Sequence, residues 1–125
     1  MVSRLHCFVG YFGELLILLY LKLKWYYVIK HCYCCKFSEI DLIVSKKKEL
    51  IFIEVKTSLL GEDISISYLQ YQSIVNSSQY FLSKNLSFLD YPIRYDLCFL
   101  SLKRGPAYIK NAWLEERKVY IDNLV

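Results

Sequence analysis

Asp41, Glu54 and Lys56 are the residues whose types and spacing could do chemistry. They lie in SEIDLIVSKKKELIFIEVKT, residues 38–57, where two apolar, β-rich runs flank a lysine cluster and read as a hairpin. A carboxylate inside such a run is costly unless something satisfies it. If the loop is Lys46, Lys47, Lys48 and Glu49, Ser45 faces Leu50, and the ladder pairs Val44 with Ile51, Leu42 with Ile53 and Ile40 with Val55 as one apolar face. The same register sets Ile43 opposite Phe52, Asp41 opposite Glu54 and Glu39 opposite Lys56 on the other face. Directly opposed residues have Cβ atoms about 4.5–5.5 Å apart, so two carboxylates there repel unless a positive charge lies beside them. A divalent cation supplies that charge. Oxygen ligands suit magnesium or manganese, with waters completing the shell, better than zinc. Lys56 shares a strand face with Glu54 and can reach a phosphate or an attacking water beside the metal. The competing structural reading is a solvated face with a Glu39–Lys56 ion pair, individually worth little.

The elements around this hairpin must hold it. Gly13 followed by ELLILLYLKLK predicts a helix, with Leu15, Leu18, Leu19 and Lys22 at helical spacing. Apolar on more than one face, that helix is expected to pack deeply. WYYVIKHCYCC, from Trp25, is aromatic and β-branched and predicts a strand before the hairpin. After a bend at SLLGED, the segment ISISYLQYQSIVNSSQYFLSKN suits a second helix through Leu69, Ile74, Tyr80, Phe81 and Leu82, despite its serines. DYP ends that segment, RYDLCFLSL predicts a strand, RGP a turn, and AYIKNAW a short final strand or strand-to-helix junction.

The composition sets the outer bounds. The chain has 125 residues, 55% of them hydrophobic, 17% aromatic and 22% charged, which is enough apolar material for one folded domain over residues 1–125 and excludes disorder. A net charge of +4 permits a polyanionic partner without requiring one. The run LLILLYL at Leu15–Leu21 is about a third of the ~20 residues that a span needs, and Lys22 and Lys24 break the apolar character directly after it, so no membrane span is expected. The run lacks a small-residue cleavage site at its end, and the protein reads as cytoplasmic. The five cysteines offer no pair of CxxC motifs, and HCYCCK alternates its side chains between sheet faces. Reduced, partly buried thiols are therefore favoured over a zinc site.

EIDLIV, then IFIEVKT, resemble the PD-(D/E)XK nuclease superfamily, whose core is an acid in one strand followed by acid, any residue and lysine in the next. More closely, the chain resembles the YraN-type family of small proteins related to Holliday junction resolvases. The resemblance runs nearly full length: GE at Gly13 and Glu14, EIDLI at Glu39–Ile43, FIEVKT at Phe52–Thr57, RYD at Arg94–Asp96 and NAW at Asn111–Trp113. It implies a restriction-endonuclease-like α/β fold, a mixed central sheet flanked by helices, with the acidic cluster at one sheet edge. It also implies that Asp41 and Glu54 bind Mg or Mn, that Lys56 positions or activates water, that Glu14 completes the site from the first helix and that Glu39 supports it. Thr57 and Gln70 become candidate nucleic-acid contacts. Gln70 stands where the family usually carries lysine, and Ser38 where it usually carries glycine. Arg94 and Asp96 also read as a strand-end ion pair, and NAW as a packed anchor.

The function implied is metal-dependent hydrolysis of DNA phosphodiesters, in branched or damaged DNA, and by analogy with junction resolvases a homodimer. The alternative is a non-catalytic nucleic-acid-binding module on the same fold. A third class, a structural or membrane-surface protein using the apolar N-terminal helix, leaves the Asp41, Glu54 and Lys56 constellation without a role.

Overall fold

The computed structural model describes residues 11–58, 68–101 and 105–112. Helix α1 (Tyr11–Leu23) leads into strand β1 (Tyr27–Cys34), then β2 (Glu39–Lys46) and β3 (Glu49–Ser58). Helix α2 (Tyr68–Lys84) and a short 3-10 turn (Leu86–Phe88) precede β4 (Ile93–Ser101) and β5 (Gly105–Ile109). The five strands lie in the order β1-β2-β3-β4-β5. Only the β3–β4 pair is parallel, which makes the sheet mixed, and the connection between those strands carries α2. The expected α/β architecture of a mixed sheet flanked by two helices is the one observed.

The hairpin register is the predicted one, pairing Leu42 with Ile53, Ile43 with Phe52, Val44 with Ile51 and Ser45 with Leu50. It runs one pair further into the expected loop, Lys46 opposite Glu49, so the turn is Lys47–Lys48 alone. Both turn residues are left-handed, with φ of 52° and 61°. That geometry matches the right-handed twist of the flanking strands, although asparagine and glycine hold it at lower cost than lysine.

Each sheet face carries its own core. On one, Ile17 and Leu21 of α1 pack with Leu42, Val44, Ile51, Ile53 and Val55. On the other, Phe81 of α2 packs with Ile40, Ile43, Leu50 and Phe52, and Phe81 meets the rings of Phe52 and Tyr33 edge-on. Ile40 thus departs from the face expected for it, because the regular β2–β3 ladder stops at Leu42–Ile53.

Helix α1 also departs from expectation. Among its described side chains only Ile17 and Leu21 are buried, while Leu15, Leu16, Leu19, Tyr20 and Leu23 are exposed. No helix among the described residues is long and apolar enough to cross a membrane.

In α2, the apolar anchors Ile74 and Phe81 are buried as expected, but Leu69 is exposed and Ser77 and Ser78 are fully buried. The small serines let the helix approach the sheet, and their hydroxyls are satisfied there. Ser78 Oγ donates to the Val75 carbonyl at 2.7 Å and pairs with the Tyr95 hydroxyl at 2.7 Å. Ser77 Oγ lies 2.5 Å from Ser38 Oγ, and Ser38 also donates to the Ser73 carbonyl at 3.0 Å. Ser38 thereby ties the start of β2 to α2.

Candidate active site

The strand ends build the site. One residue beyond the last regular β2–β3 pair comes Asp41, whose side chain is 1% exposed. Its Oδ2 accepts the Val55 main-chain N–H at 2.7 Å, so a carboxylate replaces a main-chain carbonyl as the partner of β3. From there β2 and β3 part, while β3 continues in parallel register with β4, Glu54 opposite Leu97 and Lys56 opposite Phe99. The expected cross-strand pairs Asp41–Glu54 and Glu39–Lys56 are replaced by this splayed geometry. The opening lies at the carboxyl end of a parallel strand, where open α/β sheets take their ligands.

Asp41, fully buried, and Glu54, partly buried, meet where the strands part. Burial pushes the Glu54 carboxyl far up from the ordinary carboxylate range, and its hydrogen bond to Asp41 and the Asp41 charge push it further. Lys56 opposes this and Glu39 adds weakly to it, so all four groups act on one place. Asp41 and Glu54 hold in contact two groups that cannot both be ionised cheaply. The Glu39 carboxylate has a partner of its own, accepting the Cys34 thiol at 3.5 Å.

The sequence-based candidates divide accordingly. Asp41, Glu54 and Lys56 come together, with Glu39 beside them. The acids lie on the interior strands β2 and β3, which corrects the expectation of a sheet-edge cluster. Gln70 is exposed in the first turns of α2. The side chains of Glu14 and Thr57, and Trp113 altogether, lie outside the described residues. No group of three or more His, Cys, Asp and Glu side chains among the described residues converges as a metal-holding set. The Asp41–Glu54 pair still fits a hard divalent cation, since its donors are oxygens and the Glu54 carboxyl is driven toward its protonated form by burial and by the adjoining Asp41 carboxylate.

A second polar cluster is larger than the sequence shows. Asp96 is fully buried and accepts from Arg94 Nε at 2.9 Å, the Tyr108 hydroxyl at 2.6 Å and the Asn111 main-chain N–H at 2.9 Å. Arg94 also donates to Glu49 at 2.9 Å and to the Tyr26 hydroxyl at 3.4 Å. The Arg94 guanidinium keeps its proton all the more firmly for these partners, although its own burial works against it. Every strong acceptor here is spent on protein donors, which makes the cluster structural. Cys34, Cys35 and Cys98 form no disulfide, as expected, whereas Cys32 is disulfide-bonded, which corrects the uniformly reduced reading.

The uncharacterised protein family UPF0102 matches residues 13–100, a stretch that contains most of α1, the whole hairpin, α2 and most of β4. The chain belongs to this family. A UPF0102 protein of Ehrlichia ruminantium is 51% identical over 112 residues, covering 90% of this chain and 88% of its own length. One from Ehrlichia chaffeensis is 49% identical over 107 residues, covering 86% and 88%. A more distant UPF0102 protein of Legionella pneumophila is 32% identical over 109 residues, covering 83% of this chain and 92% of its own. The resemblance to the YraN-type family, carried by EIDLI and FIEVKT, is thus membership. Within UPF0102 the matched stretch includes Asp41, Glu54 and Lys56.

Proposed function

We propose that this UPF0102 protein is a divalent-metal-dependent nuclease that hydrolyses DNA phosphodiesters. The observation that carries the reading is the contact between Asp41 and Glu54 at the splayed end of β3, with Lys56 two residues further on the same strand. Asp41 and Glu54 are the residues to hold magnesium or manganese. Bound there, the metal supplies Lewis-acid polarisation of a phosphoryl oxygen and lowers the pKa of water. Asp41, fixed by the Val55 N–H, presents its carboxylate in one orientation. Lys56 brings a fixed positive charge to the oxygens on which negative charge builds as water attacks phosphorus and a sugar oxygen leaves. Branched or damaged DNA as the substrate rests on the resemblance to junction resolvases.

Contact with a polyanion has support nearby. At the β1–β2 turn, Lys36 Nζ lies 5.2 Å from the Phe37 ring centroid and 5.9 Å from that of Tyr80, and Lys84 Nζ lies 5.7 Å from Tyr80. Aromatic faces and ammonium groups together take bases and phosphates. Gln70 and Thr57 are further contact candidates.

A second reading is a nucleic-acid-binding module without turnover. Its support is Glu39, which is engaged by the Cys34 thiol. Incubation with single-stranded, duplex and branched DNA, with magnesium or manganese, distinguishes the two. The nuclease reading expects cleavage by wild type that is lost in Asp41→Asn, a substitution that keeps an acceptor for Val55. Binding without cleavage of any substrate supports the module.

A further inference from the structure

We infer that the outward face of α1 docks on an anionic lipid surface. At 100° per residue, Leu15, Leu16, Leu19, Tyr20 and Leu23 fill an arc of about 140° opposite the buried Ile17 and Leu21. The exposure is large, 64% for Leu16 and 71% for Leu23. Lys22 and Lys24 are exposed and border the arc on either side, Lys24 still holding the helical bond from its N–H to the Tyr20 carbonyl at 3.0 Å. An apolar stripe edged by lysines is the pattern of a helix lying in a membrane interface, its leucines in the acyl boundary and its ammonium groups at the phosphates.

The helix end adds an independent sign. The Tyr26 N–H bonds the Leu21 carbonyl at 2.9 Å and the Trp25 N–H bonds the Lys22 carbonyl at 3.1 Å, a Schellman stop with Trp25 in the left-handed position, φ 68°. Glycine holds that position without strain. Tryptophan is strained there and 86% exposed, so neither the turn nor the core accounts for it, whereas an interfacial anchor does.

Charge selects the occupant. The charges that border the arc are Lys22 and Lys24, and from Leu15 to Trp25 the chain carries no acid, Glu14 lying before the stripe begins. A second copy packed symmetrically on this face would set lysines against lysines, while an anionic bilayer complements them.

The test is co-sedimentation of the full chain with vesicles of equal parts phosphatidylcholine and phosphatidylglycerol, beside vesicles of phosphatidylcholine alone. The protein is expected in the anionic pellet, and less so at high salt. Leu16→Glu with Leu19→Glu should lower the partition at least about tenfold, and Lys22→Gln or Lys24→Gln about fivefold each. All these side chains face solvent, so melting near the wild-type temperature certifies the variants. Trp25→Gly should raise the melting temperature and weaken the pelleting; a silent Trp25→Gly on vesicles contradicts its role as anchor. The proposal is overturned if wild type stays in the supernatant, if Leu16→Glu with Leu19→Glu pellets equally, or if sedimentation equilibrium shows a dimer that this double variant splits.

Discussion

Glu54 shows most clearly what a single residue costs and what it offers. Its carboxyl, ordinarily at 4.5, is raised to about 10 by burial and by Asp41. Between those values the folded chain keeps a proton that the unfolded chain has released, so stability falls as pH rises through that window. One proton sets a ceiling of about 1.4 kcal/mol per pH unit, and residual solvent contact lowers it. Without metal, the melting temperature of wild type is therefore expected to fall from pH 6 to pH 9, whereas Glu54→Gln, which has no proton to lose there, stays flatter and melts higher at pH 9. Thermal scans across that range check it, and parallel slopes would contradict the raised carboxyl. Manganese should reverse the order: wild type gains from an ion that binds only the folded state, and Asp41→Asn and Glu54→Gln gain much less. Equal gains in all three would remove the ion from this pair. The acids themselves were legible in the sequence, because polar residues interrupt two apolar runs at matching register. Their partner was not: that Asp41 would accept the Val55 N–H depends on the strands parting, which no side-chain period encodes.

At the scale of elements, period and composition carried the hairpin and failed where chain ends or small residues decide. The β2–β3 register came from two apolar runs of similar length about the lysine cluster, and a slip of one residue would send the residues of each core to the opposite face. Ile40 lay beyond the regular ladder and changed clusters. The turn itself stores a correctable cost, two lysines held at positive φ. Lys47→Asn with Lys48→Gly should stabilise the protein by about 1 kcal/mol, read as a higher denaturant midpoint at unchanged slope. Helix α2 looked marginal because of its serines, yet Ser77 and Ser78 are what let it sit close to the sheet. Its anchor is Phe81, fully buried against Phe52 and Tyr33. Phe81→Ala should cost about 3–5 kcal/mol, the range for a large core side chain replaced by a cavity, and chemical denaturation measures it. The outward face of α1 was illegible for the opposite reason: a run apolar all round does not say which side is buried.

Across the whole molecule, two polar centres divide the work. The Asp96 cluster joins β4 to β5 through Tyr108, to the start of β3 through Glu49 and to the end of α1 through Tyr26. The sequence showed Arg94 and Asp96 as an ion pair, but their burial and third partners come from strands far apart in the chain. Asp96→Ala leaves Arg94 without its buried counter-charge and should cost about 3–5 kcal/mol, seen in denaturation. The Asp41–Glu54 pair, largely buried where β2 and β3 part, costs stability without a cation, which is why it carries the proposed chemistry. The most direct measurement compares DNA cleavage by wild type and Lys56→Met in manganese, alongside the manganese-induced rise in melting temperature. Methionine keeps the apolar stem and removes the charge, so cleavage should fall at least about 100-fold while the melting rise is retained. Cleavage by Lys56→Met at the wild-type rate, or no cleavage of single-stranded, duplex or branched DNA by wild type, would contradict the nuclease mechanism.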